Sequence, residues 1–304
     1  MFWSVPDFKR IRTWATGGGR INSVAYSADG RRVVSAAAQK VQVWDIATGA
    51  VLLTVPPRAG DSMTCAALSP DGARLAVASY KTGGRSDEGS DQVWVVDATT
   101  GERIYTVSGH PYSANYVRFS PDGQWLLTGT YGATEVDTDV SIRIWDAATG
   151  TRLAGSVPSM NWPWHASFSP DNTKMLVLGL SLEPVLWDLV EQREVYRLKG
   201  AGAFQVLFHP NGERFVVIDG NGVRIHAVSD GRELVTLDRG HVSLIDPPGG
   251  GIPAAFTPDG RELICRRDGS TMIRFKTADW TTPDRKTEFA QGLDEVRRLL
   301  ALPK

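Results

Sequence analysis

Short runs of alternating apolar and polar residues fill most of the chain, for example "INSVAYS" (21–27) and "QWLLTGT" (124–130). Alternation with a period of two predicts β-strands. Pairs of these runs meet at the tetrapeptide S-P-D-G or a close variant. Proline fixes φ at the first corner of such a tetrapeptide and glycine tolerates the reversal, so each copy predicts a type I turn between two strands. The copies begin at Ser27, Ser69, Ser120, Ser169, His209 and Thr257.

The turns recur at a nearly constant spacing of 42, 51, 49, 40 and 48 residues. A fixed period of this size indicates an array of structural repeats. After each turn the chain runs through a second strand, a third strand ending in W-D or a relative, an A-T-G-like turn and a fourth apolar strand. We therefore expect four antiparallel strands per unit. The six units cover approximately 16–58, 59–109, 110–158, 159–200, 201–239 and 240–284.

The end of the third strand carries the most specific motif, seen in "VQVWDIATG" (41–49) and "IRIWDAATG" (142–150). These repeats resemble the bacterial-style repeats of the WD-repeat β-propeller family, and the resemblance covers nearly the whole chain. It implies an all-β fold, a single β-propeller domain over residues 1–304 built from four-stranded antiparallel blades. Residues 1–15 would supply closing strands, because closure hides sheet edges that invite aggregation, and residues 285–304 would form a C-terminal tail.

The number of blades has two interpretations. Family habit favours seven, with six full repeats and a terminal composite blade, whereas the count of repeats alone supports six. The chain also begins in the middle of a blade, because Trp3 aligns with Trp44. It could therefore be the propeller portion of a larger signalling protein.

The net charge indicates which kinds of partner the chain can bind, and the cysteines indicate the compartment in which it folds. The chain has 33 Lys and Arg against 34 Asp and Glu, a formal charge of -1, so we expect neither a nucleic acid nor a membrane partner. Cys65 and Cys265 lie in apolar runs 200 residues apart, which is no disulfide framework. Because no apolar leader is present at the start, we expect a cytoplasmic protein, and we expect a monomer.

Familiar catalytic motifs are absent, and we expect no enzyme activity, catalytic residue, metal or cofactor. The acidic stretches "RSDEGSD" (85–91) and "TEVDTDVS" (134–141) lack a complete calcium-loop pattern, and calcium binding there stays open. The family resemblance implies a buried structural network of His110, Asp139 and Trp145, with Thr128 or Thr130.

Binding residues are expected in the loops after the second and fourth strands, because the longest insertions fall there and loops on a rigid scaffold often carry binding. These insertions are 80–90, 131–138, 156–164 and 238–253. We predict a non-catalytic scaffold for a protein or peptide partner, with a lactonase-like metal-dependent hydrolase as the alternative. The candidate partner-binding residues are Arg85, Tyr112, Tyr131, Trp162, Trp164 and His165.

Overall fold

A computed structural model gives the structure of the chain. The described residues form twenty-four β-strands and no α-helix, and their strands pair antiparallel within each sheet. The all-β prediction is confirmed. No helix that could span a membrane occurs in this part of the chain. The described residues are 2–3, 10–14, 16–17, 19–81, 93–107, 113–131, 142–153, 165–179, 181–238, 254–257, 259–266 and 272–277.

The first half of the chain contains a two-stranded N-terminal pair and three sheets. In each sheet the strands pair in chain order, as the repeat pattern predicts. The N-terminal pair is β1 (Phe2–Trp3) and β2 (Arg10–Arg12); sheet 1 is β3 (Ile21–Tyr26), β4 (Arg32–Ala37), β5 (Lys40–Asp45) and β6 (Val51–Val55); sheet 2 is β7 (Asp61–Leu68), β8 (Arg74–Lys81), β9 (Val93–Asp97) and β10 (Arg103–Val107); sheet 3 is β11 (Ser113–Phe119), β12 (Trp125–Tyr131) and β13 (Arg143–Asp146).

The second half contains three further sheets with the same order. Sheets 4 and 5 have four strands, and sheet 6 has three strands within the described residues. Sheet 4 is β14 (His165–Phe168), β15 (Lys174–Leu178), β16 (Val185–Asp188) and β17 (Arg193–Arg197); sheet 5 is β18 (Ala203–Phe208), β19 (Arg214–Asp219), β20 (Gly222–Ala227) and β21 (Glu233–Asp238); sheet 6 is β22 (Ala254–Phe256), β23 (Glu262–Arg266) and β24 (Met272–Lys276).

The chain divides into two compact units. The first contains residues 1–165 together with 179–181 and 191–193, and therefore sheets 1 to 3. The second contains most of sheet 4 and all of sheets 5 and 6. Four-stranded antiparallel sheets of this order are those of a β-propeller blade. The choice between six and seven blades stays a prediction, as does the pairing of residues 1–15 with the C-terminal part.

The turn between the first two strands of each sheet is held by its own side chains. In sheet 1 the Ser27 hydroxyl donates to Asp29 Oδ1 at 2.6 Å, and the Arg31 N–H donates to the same oxygen at 3.0 Å. Gly30 has a φ of 66°, which a residue with a side chain rarely adopts. The hydroxyl-to-carboxylate bond recurs at Ser69, Ser120, Ser169 and Thr257.

The hydrophobic core of the first unit lies between neighbouring sheets. Val34 and Val43 of sheet 1 pack with Leu75 and Trp94 of sheet 2. The other face of sheet 2 packs with sheet 3, where Trp145 is 3% exposed. Sheet 2 is therefore buried on both faces, and its β9 reads as a continuous apolar run.

The first strand of a sheet has one edge without a strand ladder, and side chains from the preceding sheet bond to its backbone. Asn22 Nδ2 donates to the Met63 carbonyl at 2.8 Å, and Thr64 Oγ1 donates to the Ala114 carbonyl at 2.8 Å. In the second unit the Gln205 amide bonds to both the N–H and the carbonyl of Ala254. Buried backbone groups require such partners, so these polar residues are part of the fold.

Candidate functional site

Two of the tryptophans that end a third strand are anchored by a hydrogen bond across the sheet. Trp145 Nε1 donates to Thr128 Oγ1 at 2.7 Å, and Trp44 Nε1 donates to Ser35 Oγ at 2.9 Å. Both rings are buried, so these bonds stabilise the sheets. His110 and Asp139 lie outside the described residues, and their membership of the network stays a prediction.

A histidine takes the tryptophan position in sheet 5. The ring of His226 stacks on Phe215 with centroids 5.2 Å apart and planes 18° apart, and its Nδ1 lies 2.9 Å from the Gly231 carbonyl oxygen. Burial lowers the pKa of His226, which favours the neutral ring. This histidine performs the packing role of the tryptophan.

The turn aspartates also serve the fold. The Ser27 hydroxyl and the Arg31 N–H lower the pKa of Asp29, and the equivalent groups lower the pKa of Asp71. A carboxylate with a lowered pKa that accepts these bonds is a poor proton acceptor in catalysis. Within the described residues, no group of three or more His, Cys, Asp or Glu side chains is placed to hold a metal ion.

Most of the predicted partner-binding residues lie outside the described part of the chain. Arg85, Tyr112, Trp162 and Trp164 belong to undescribed segments, and Tyr131 is the last residue of β12, with its side chain undescribed. His165 is described and is the first residue of β14 rather than part of the preceding loop. Its role in partner binding stays a prediction.

Alignment of the six first strands on their turns reveals an unusual residue. The minus-two position is the second residue before each turn, and five of its six occupants are uncharged. The sixth is Arg118, on β11, and its side chain is exposed. The occupants in order are Ala25, Ala67, Arg118, Ser167, Leu207 and Ala255.

The minus-four position, on the same face of each first strand, carries hydrogen-bonding or titratable side chains in sheets 1 to 5, whereas sheet 6 has Pro253 there. The neighbouring minus-three position is aliphatic throughout, with residues such as Val117 and Ala166. Because adjacent strand residues point to opposite faces, a polar row and an apolar row result. The polar row is Ser23, Cys65, Tyr116, His165 and Gln205.

Three of these aligned residues form a group that we name the Arg118 cluster: Tyr116, Arg118 and His165. The guanidinium carbon of Arg118 lies 5.7 Å from the centroid of the Tyr116 ring. The centroids of the Tyr116 and His165 rings lie 6.3 Å apart. Nδ1 of His165 is buried and has no hydrogen-bond partner among the described residues. Burial, together with the charge of Arg118, lowers the pKa of His165 to about 3.

Reasoning from motifs missed Arg118, because "YVRFS" (116–120) indicates only a strand that enters a turn. The signal was present in the repeat itself. The other five repeats have Ala, Ser or Leu at this position, so the fold does not need a charged residue there. A residue that the fold does not need is a candidate for function.

The repeat architecture agrees with a known family. Residues 8–45 and 101–146 match the WD40 family, described as "WD domain, G-beta repeat". These matches, together with the WD-repeat proteins among the relatives, support a WD-repeat family for the chain. Members of this family generally act as protein-interaction scaffolds and are typically not enzymes.

Similar proteins come from both bacteria and eukaryotes. An uncharacterized WD repeat-containing protein of Deinococcus radiodurans is 25% identical over 54% of this chain and 69% of its own length. The serine-threonine kinase receptor-associated protein of Dictyostelium discoideum is 33% identical over 41% of the chain and 36% of its length. The periodic tryptophan protein 2 homolog of Schizosaccharomyces pombe is 22% identical over 48% and 15%. The chain thus spans well under half the length of these two eukaryotic relatives.

Proposed function

We propose that this chain is a non-catalytic module that binds a protein or peptide partner at one end of its sheets. The order of the strands carries the proposal. In an antiparallel sheet, the loop after the second strand and the loop after the fourth strand leave from the same end, whereas the two short turns leave from the other. All four long insertions belong to the first kind.

The sequence of the insertions supports the same end as the binding surface. Residues 82–92 follow β8, residues 132–141 follow β12, and residues 154–164 precede β14. They bring Tyr, Trp and Arg, the residues that dominate binding hot spots, into consecutive repeats. The opposite end carries turns whose side chains bond to their own backbone, as Asp122 does with the Gln124 N–H at 3.0 Å.

A cytoplasmic location belongs to the proposal. Cys65 and Cys265 are both free thiols, and Cys265 is buried. Unpaired thiols are typical of reducing compartments.

The test is a pull-down from extract of the source cells with the intact chain. One variant carries Trp162→Ala and Trp164→Ala, and the matched control carries Asp122→Ala at the opposite end. We expect the double variant to weaken binding of a recovered partner by at least about tenfold, since hot-spot losses commonly reach 1–3 kcal/mol. The control should keep the affinity.

Two results would contradict the proposal. Full affinity of the folded double variant for every recovered partner would remove the loop-rich end as the binding surface. Stoichiometric metal in the dialysed protein, together with hydrolysis of a lactone substrate that is lost on chelation, would favour the hydrolase alternative instead.

A further inference from the structure

Arg118 has a charge that the described structure does not neutralise. Its side chain is exposed, and no carboxylate of the described residues forms an ion pair with it. A guanidinium is always protonated in proteins. The fold does not require a cation here, because Ala, Ser and Leu occupy the equivalent position in the other five sheets.

Arg118 lies beside an aromatic ring and near polar side chains of its own and the neighbouring first strands. The Tyr116 ring is 7% exposed and lies close to both Arg118 and His165. Cys65, on β7 of the neighbouring sheet 2, is partly exposed, and its Sγ lies 3.5 Å from Ser23 Oγ. The cation therefore stands beside an aromatic face and a row of hydrogen-bonding side chains.

We infer that Arg118 and His165 form a binding site for the carboxylate group of a ligand. The planar guanidinium presents two parallel N–H donors that match a carboxylate. The neutral imidazole of His165 adds one further donor. The carboxylate can belong to a peptide or to a small organic acid, and the site does not depend on the proposed function.

The net charge of the cluster selects a carboxylate over a phosphate. Arg118 is the one charged group that acts on His165 within the described residues, so the cluster offers a single positive charge. A phosphate near neutral pH carries up to two negative charges and is usually held by several cationic or N–H donors. A carboxylate carries one.

The state of His165 provides a direct readout of binding. The groups that face it among the described residues are Arg118, whose charge lowers its pKa, and Tyr116. A carboxylate bound to Arg118 and His165 would offset the charge of Arg118 and favour the imidazolium ion. The pKa of His165 should therefore rise when the ligand binds.

The experiment follows the imidazole resonances of His165 by NMR at constant pH 6 in the intact chain, with the signal assigned through its loss in His165→Gln. The probes are sodium acetate, a tetrapeptide with a free C-terminal carboxylate, the same peptide with an amidated C-terminus, and inorganic phosphate. All titrations are run at constant ionic strength. A pH titration at the highest probe concentration then gives the direction of the pKa change.

We expect the free-carboxylate peptide to shift the His165 resonances and to raise the pKa of His165. Acetate, titrated separately, either does the same or has no effect. A response to acetate identifies a small acid as sufficient; a response to the peptide alone identifies a peptide source. Arg118→Gln should weaken binding by at least about tenfold. Arg31→Gln, at an exposed arginine of a turn, should change it by less than about twofold.

Other outcomes would overturn the site. Equal binding of the amidated peptide, a response to phosphate alone, or no response to any probe would each exclude carboxylate recognition. If Arg118→Gln does not fold, Arg118→Lys is the test variant. Lysine keeps the positive charge but lacks the two parallel N–H donors of the guanidinium. Unchanged affinity in Arg118→Lys would therefore refute bidentate recognition.

Discussion

Sheets 1 and 2 carry the same turn and the same strand order, yet the same face of their first strands differs in exposure. In sheet 2, Ala66 and Leu68 are 2% and 8% exposed, because sheet 1 packs against them. The equivalent residues of sheet 1, Val24 and Tyr26, are 58% and 60% exposed. Burial in a repeat array is therefore a property of the neighbour and not of the local pattern.

The outer part of the same face of sheet 1 is covered by the N-terminal segment. Trp14 stacks on Trp44 with centroids 5.4 Å apart, and Arg12 Nη1 donates to the Ala47 carbonyl at 2.8 Å. Trp14 also lies over Gly49, where an added Cβ would come within 2.7 Å of its indole nitrogen.

The same contact recurs between complete sheets. Tyr105 of sheet 2 lies over Gly150 and donates its hydroxyl to the Ala147 carbonyl at 2.7 Å. The N-terminal segment thus makes, against sheet 1, the contacts that the outer strand of a preceding sheet makes elsewhere.

The largest expected effect is at Trp44. Trp44→Ala should destabilise the protein by about 3–5 kcal/mol, the usual range for removing a buried large aromatic side chain. Trp44→Phe keeps a ring against Trp14 and loses the bond to Ser35, so we expect about 1–2 kcal/mol. Urea unfolding measures both. A loss below about 1 kcal/mol for Trp44→Ala would mean that Trp14 does not cover sheet 1 in solution.

A matched pair of substitutions tests the comparison itself. Leu68→Ala should cost about 2–3 kcal/mol, because it leaves a cavity between sheets 1 and 2. Tyr26→Ala, at the equivalent exposed position, should cost less than about 1 kcal/mol. Equal losses in urea unfolding would contradict the comparison and indicate that the face of Tyr26 is covered in solution.

Local structure was predictable from the sequence because its causes are local. Alternation predicted the strands around Val34 and Leu126, and the turn residues predicted the bond network that holds Asp29. The exposure of Tyr26 was not predictable, since a period of two defines two faces of a strand but not which neighbour covers each face.

The candidate site was less predictable for two reasons. His165 comes directly after a proline and a tryptophan at the end of an insertion, and this context predicted a loop residue. In the structure His165 is the first residue of β14. Arg118 sits in an ordinary strand pattern, and its meaning depends on comparison with the equivalent positions of five other repeats. The predicted loop residues, such as Arg85 and Trp162, lie outside the described residues and stay predictions.

A smaller effect is expected from the N-terminal cover alone. Trp14→Ala should destabilise by about 1–2 kcal/mol, because it removes one partner of a stacked aromatic pair from a partly buried site. Thr13→Ala, at the exposed neighbouring residue, is the matched control and should be neutral. A double-mutant cycle with Trp44→Ala should give a coupling of about 0.5–1.5 kcal/mol; additive losses would show that the two rings do not interact.

The smallest effect concerns the turns, where sheets 1 and 2 should behave alike despite their different neighbours. The Ser27 and Ser69 hydroxyls are the main cause of the lowered pKa values of Asp29 and Asp71. Since these carboxyls ionise more readily in the folded state, their stabilisation is present above the unfolded pKa of about 3.9 and is lost as the pH falls through the folded pKa.

Carboxyl ¹³C NMR titration should therefore place both aspartates below the ordinary pKa. Ser27→Ala should raise the pKa of Asp29, and Ser69→Ala should raise that of Asp71, by similar amounts, because each removes a local hydroxyl donor. A response in only one of the two sheets would mean that the neighbouring sheet acts on the turn as well, and the separation between local turns and array-dependent burial would then be wrong.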